Sequence, residues 1–206
     1  MYPEGRFLRA VRAAGAAAEA LPHRLILLGA PAVNPEDEYG WILPGGPLGL
    51  VDGRPITSVR SFLEKPAAAL ARAAQRAGAV WNTFVMVAKA QSLWDLASAH
   101  QGDLARRFTH LRAAIGRPDE QAVLEELYRT MPSRNFCSDV LEHAADRTAL
   151  LTLDGLVWSD WGRPERIIDT LTALGRQPSF STPGMVMGQP RARHAMMDDT
   201  LRKTGT

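Results

Sequence analysis

TSVRSFLEKPAAALARAAQRAGAVWNTFVMV, residues Thr57 to Val87, decides the fold. Thr57 to Leu63 reads as a strand and runs directly into Glu64-Lys65-Pro66. Ala67 to Ala77 then reads as a helix, with proline at its opening turn and Gly78 as its stop. Val80 to Val87 is a second buried strand, apolar except for Asn82 and Thr83. Working outward, the same alternation continues. Phe7, Val11, Ala14, Ala18 and Leu21 recur at helical spacing over Phe7 to Leu21, and Leu25 to Leu28 form a compact apolar run of the kind that fills a covered sheet. A short strand is expected at Tyr39 to Leu43, followed by a Pro/Gly-rich loop from Pro44 to Gly49.

Beyond Val87, helical patterns cover Ala90 to His100, Asp103 to Ile115, Asp119 to Tyr128 and Asn135 to Ala145. Thr148 to Leu153 and Leu156 to Trp158 flank Asp154-Gly155, a dipeptide that favours a two-residue hairpin turn. Arg163 to Leu174 is the last helix expected. From Arg176 the composition shifts to Pro, Ser, Thr, Gly, Met and Arg without periodicity, so 1–175 is expected as the domain and 176–206 as a flexible tail. Alternating helices and buried strands argue an α/β fold with a mostly parallel sheet covered on both faces, plus an antiparallel element at Asp154-Gly155.

Composition narrows the function. The net charge is only +2 over 206 residues, and the short arginine clusters at Arg106-Arg107 and Arg191 to Arg193 read as solvated, so no nucleic-acid partner is expected. No apolar run approaches the roughly 20 residues of a membrane span, and no leader-like segment opens the chain. A single cysteine, Cys137, excludes an internal disulfide and fits a reducing cytoplasm; it reads as a buried structural thiol.

Several side chains invite chemistry. Lys65 and Glu64 sit where a strand gives way to a helix, at the sheet edge where ligands usually bind. Gly40 would let backbone approach a ligand, or would simply serve a turn. Asn82, polar inside an apolar strand, must find partners, either a ligand or neighbouring backbone. Asp160, between Trp158 and Trp161, is either an N-cap for the following helix or a hard oxygen ligand for magnesium.

Four motifs carry a resemblance: Glu38-Tyr39-Gly40-Trp41-Ile42, Phe62-Leu63-Glu64-Lys65-Pro66, Trp81-Asn82-Thr83-Phe84 and Trp158-Ser159-Asp160-Trp161-Gly162. In this order and at these intervals, the stretch from Tyr2 to Leu174 resembles the sugar-1-phosphate nucleotidyltransferases, closest to the mannose-1-phosphate guanylyltransferases. The resemblance implies a three-layer, Rossmann-like nucleotide-diphospho-sugar transferase fold with a mixed sheet. It implies transfer of a nucleoside monophosphate from an NTP, GTP by resemblance, to a sugar 1-phosphate such as mannose 1-phosphate, with magnesium as cofactor.

By the same resemblance Lys65 would hold the sugar phosphate, Glu64, Asn82 and the backbone of Gly40 would contact the sugar, and Asp160 would be one of two metal aspartates. Thr83 stands where many relatives carry a smaller residue. The family's glycine-rich phosphate loop and second aspartate are expected upstream of this chain, in roughly a hundred further residues. Without them the sheet is expected to lack its central strand and to expose apolar surface. The competing reading is a sugar-phosphate-binding or partner-binding pseudoenzyme, with Asp103 to Tyr128 as its interface; homo-oligomerisation is left open.

Overall fold

The computed structural model describes residues 1–179. Of the expected tail, everything from residue 180 onward lies outside the described residues. The chain divides after Asp160 into two compact units.

The first unit runs α1 (Glu4–Ala20), β1 (Leu25–Pro31), β2 (Trp41–Val51), β3 (Arg54–Leu63), α2 (Ala68–Arg76), β4 (Val80–Val87), α3 (Ala90–His100), α4 (Gly102–Ala114), α5 (Glu120–Thr130), α6 (Phe136–Asp139) and β5 (Thr148–Thr152). The described part of the second unit contributes one helix, α7 (Pro164–Ala173), with proline in its first turn.

The sheet is mixed, with order β1-β4-β2-β3-β5, and β5 returns to pair with β1. Only that last pairing is parallel, which corrects the expectation of a mostly parallel sheet. The reason is β2. It lies antiparallel between β3 and β4, so these two strands run the same way and are joined through α2 without touching. Thr57 and Ser58 of β3 pair with Leu150 and Ala149 of β5, which closes the strand order into a ring.

Two local readings change. Pro44 to Gly49 is not a loop but the outer half of β2, irregular in register yet still paired with β3. The turn that closes this hairpin is Asp52-Gly53, both at positive φ (51° and 72°), as a tight two-residue turn requires. At Asp154-Gly155 a turn does form, with Gly155 at φ 67°, but it closes no hairpin; Val157 bridges to Tyr2 instead.

Burial of β1 explains the layering. Leu25 and Leu27 join one cluster with Ile42, Phe62, Leu96, Val140 and Leu141. Ile26 and Leu28 face the other way, onto Ala10, Ala13, Ala14, Ala17 and Ala18 of α1. A stripe of alanines lets that helix lie close to the sheet, and each fully buried leucine stabilises by about 1.5–3 kcal/mol. Helix α1, the sheet, and α3 with α6 make three layers.

Strand β4 carries a bulge: Leu28 pairs with Val85 and Gly29 with Asn82, leaving Thr83 and Phe84 extra. Phe84 takes φ 58°. The two polar residues of this strand close the break. Asn82 Oδ1 accepts from the Phe84 N–H at 3.1 Å, while Thr83 Oγ1 accepts from the Val85 N–H and donates to the Leu28 carbonyl at 2.6 Å. Thr83→Val keeps the shape but leaves buried backbone groups without those partners. It is expected to destabilise the chain by about 1–3 kcal/mol in urea titration.

Candidate functional site

Gly40 is where the first three motifs meet. Its φ is not positive, so a turn does not require it. Proximity does: a Cβ at this position would lie 3.0 Å from Glu64 Oε2, 3.0 Å from Phe62 Cζ and 3.2 Å from Asn82 Cβ. The Asn82 N–H also donates to the Gly40 carbonyl at 2.8 Å. Glu64 and Asn82, from the ends of β3 and β4, are therefore neighbours across the bare backbone that leads into β2.

The Asn82 carboxamide divides its work. Its oxygen secures the bulge, and its NH₂ faces the Cys137 sulfur at 3.8 Å, a weak partner for a good donor. Cys137 itself is buried, as expected, in the first turn of α6, whose N-cap Asn135 accepts from the Cys137 N–H. Burial, followed by the charge of Glu64 and a hydrogen bond to it, pushes the thiol from its ordinary 9.0 up to about 12. The thiol is thus a neutral donor and not a nucleophile. It should resist disulfide-exchange reagents at pH 8 until the chain unfolds. Because the folded value lies above the unfolded one, its contribution to stability is complete below pH 9 and is lost as pH rises towards 12. Labelling rates and unfolding titrations across that range would check both statements.

Lys65 comes next at φ 44°, a left-handed conformation that costs a non-glycine residue about 1 kcal/mol or more. Its side chain is exposed, and among the described residues it has no ion pair. The Glu64 N–H is held at 2.7 Å by Glu142 Oε1. Glu142 was not a sequence candidate. It lies just beyond α6, where the expected helix Asn135 to Ala145 is replaced by a four-residue helix and two 3-10 turns.

The fourth motif joins through Tyr39, whose hydroxyl donates to Asp160 Oδ1 at 3.0 Å. Tyr39 is in turn fixed edge-on against Trp81 and Trp158, with ring centroids 5.1 and 5.0 Å away. Trp41 packs on Trp81 from the other side at 6.3 Å. Four aromatic residues from three motifs thus build a wall behind Gly40, covered by Ala71 and Ala74 of α2. The buried Trp81 Nε1 has no acceptor among the described residues.

Asp160 does not cap α7, whose N-cap is Arg163. As a donor set it supplies one carboxylate, which suits magnesium's habit of taking one or two carboxylates together with phosphates and water. Among the described residues no group of three or more His, Cys, Asp or Glu could hold a metal by itself. Two open grooves lie elsewhere, one of about 610 Å³ between α4 and α5 and one of about 360 Å³ between α3 and α4. Neither includes a residue of the four motifs. No helix among the described residues is long and apolar enough to cross a membrane.

With this arrangement in view, solved structures provide the comparison. The chain is similar to the crystal structure of mannose-1-phosphate geranyltransferase from Thermus thermophilus, with 27% identity and a TM-score of 0.64 over 79% of this chain. The fold is nucleotidyltransferase-like. This chain spans 45% of the length of that protein. Mannose-6-phosphate isomerase from Helicobacter pylori shares the nucleotidyltransferase-like fold at 18% identity and a TM-score of 0.57, over 74% of this chain and 59% of that one. No protein-family model matches the chain, and no curated protein matches it.

Proposed function

We propose that this chain carries the sugar-phosphate half of a sugar-1-phosphate nucleotidyltransferase site, with mannose 1-phosphate as the sugar substrate and GTP as the nucleotide. The convergence of Gly40, Glu64 and Asn82 from three separate motifs is the observation that supports it most strongly. In this reaction an oxygen of the sugar phosphate attacks the α-phosphorus of the nucleotide, and the bond to pyrophosphate breaks. No covalent protein intermediate is needed, which agrees with a buried, protonated Cys137.

The side chains would then align two polyanions. Lys65 would pair with the sugar phosphate, the Glu64 carboxylate and Asn82 amide would bind sugar hydroxyls, and glycine at position 40 lets those two side chains come together. Asp160, oriented by Tyr39, would hold magnesium, which supplies charge neutralisation at the phosphates.

Pyrophosphate release from GTP and mannose 1-phosphate with magnesium, measured for the wild-type chain and Asp160→Asn, tests this reading. Release that Asp160→Asn abolishes supports it, and equal release from both removes Asp160 from the site. A second reading is binding without turnover; Pro44-Gly45-Gly46-Pro47 lies within β2 and not before a helix, so it is not itself a phosphate loop. Mannose 1-phosphate binding with no release would favour that reading.

A further inference from the structure

The contact between Glu142 and Glu64 joins segments far apart in the chain, and it lies at the point where the proposed site is most strained. Glu142 Oε1 accepts the Glu64 N–H at 2.7 Å, the short distance typical of a bond to a charged acceptor. The next residue, Lys65, is left-handed at φ 44°, and the buried Pro66 comes after it. A non-glycine residue keeps that conformation only when its surroundings hold it there. On one side the Glu64 side chain lies against the bare backbone of Gly40. On the other side the hold is Glu142.

The acceptor comes from a side chain 78 residues further along the chain. The charges of Glu64 and Glu142 both act on Cys137, with the opposing charge of Lys65, so these side chains share one neighbourhood. We propose that Glu142 is a positioning residue whose carboxylate fixes the Glu64-Lys65 turn so that the Glu64 carboxylate and the Lys65 ammonium face a sugar 1-phosphate together. The ligand part of this inference rests on the functional reading above; the part concerning the turn does not. A turn fixed before binding loses less freedom when ligand arrives, so affinity is where the effect should appear. Glu142 is exposed, and its removal should leave overall stability nearly unchanged.

Two readouts on the 206-residue chain separate these parts. In Glu142→Ala, amide hydrogen exchange at Glu64 should speed up about tenfold, and mannose 1-phosphate should bind about tenfold more weakly, with the melting temperature within about 2 °C of wild type. Glu142→Gln retains an acceptor oxygen and should recover most of both. Unchanged Glu64 exchange in Glu142→Ala, or no recovery in Glu142→Gln, overturns the role of Glu142 at the turn. Unchanged affinity in Glu142→Ala overturns its role towards ligand. A wild-type chain that does not bind mannose 1-phosphate overturns the functional reading and the ligand part with it, while the exchange rates still decide whether Glu142 holds the turn.

Discussion

Lys65→Ala should weaken mannose 1-phosphate binding by about 10- to 100-fold, as expected for loss of one charge-assisted contact to phosphate. Stability should barely move, because the side chain is exposed and makes no ion pair among the described residues. Alanine also gives up nothing that lysine gains at φ 44°. The separation between affinity and stability is therefore the informative result. Lys65→Arg keeps the charge and should retain much of the affinity, although its planar fork cannot reproduce a compact ammonium. Calorimetric titration and a thermal melt on the same samples would provide both numbers. Equal affinity in wild type and Lys65→Ala would remove this residue from the site.

Trp41→Ala should be the most destabilising change at the site, by about 3–5 kcal/mol in urea titration. Trp41 is fully buried, donates from Nε1 to the Glu36 carbonyl at 2.8 Å and packs edge-on against Trp81. Truncation would leave a cavity at the start of β2, next to Gly40, and would remove the donor to Glu36. With total stabilities of about 5–15 kcal/mol typical of folded domains, much of the margin would be lost. Trp41→Phe keeps a ring in the wall and loses the N–H, so a cost of about 1–2 kcal/mol is expected. A loss below about 1 kcal/mol for Trp41→Ala would mean that the aromatic wall does not support the site.

These residues also show what can be read from a linear chain. The runs at Leu25 to Leu28 and Val80 to Val87 are legible because a strand covered on both faces must be apolar throughout. The helices α1, α3, α4 and α5 are legible because their periodicity is local, and each falls within a few residues of its expected span.

Pro44 to Gly49 misleads for a physical reason: its residues disfavour strands by themselves, and only pairing with β3 extends β2 through them. A signal was present in Asp52-Gly53, the same dipeptide that marks a turn at Asp154-Gly155. The path of the chain after that second turn was not legible, because the partner of Val157 is Tyr2, at the far end of the unit.

The site divides in the same way. Gly40, Glu64 and Asn82 carry short motifs, and the fold brings them together. The choice between turn and close approach at Gly40 depended on the atoms that would meet its Cβ, a tertiary fact. At Asn82 the structure shows the backbone role: its oxygen accepts from the Phe84 N–H, and its amide lies opposite the Cys137 sulfur, a weak acceptor. Glu142 had no local mark, since a lone glutamate in a helical pattern reads as a solvated side chain. Its partner lies 78 residues away.

The location of the site can be tested residue by residue, by tracking backbone amide resonances of the labelled chain while mannose 1-phosphate is added. The expected result is a cluster of shifts at Gly40, Glu64, Lys65 and Asn82, with mannose 6-phosphate producing much smaller ones. Shifts centred on Arg106, Arg107 and His110 in the groove between α4 and α5, or none at any concentration, would contradict the placement of a sugar 1-phosphate site at Gly40.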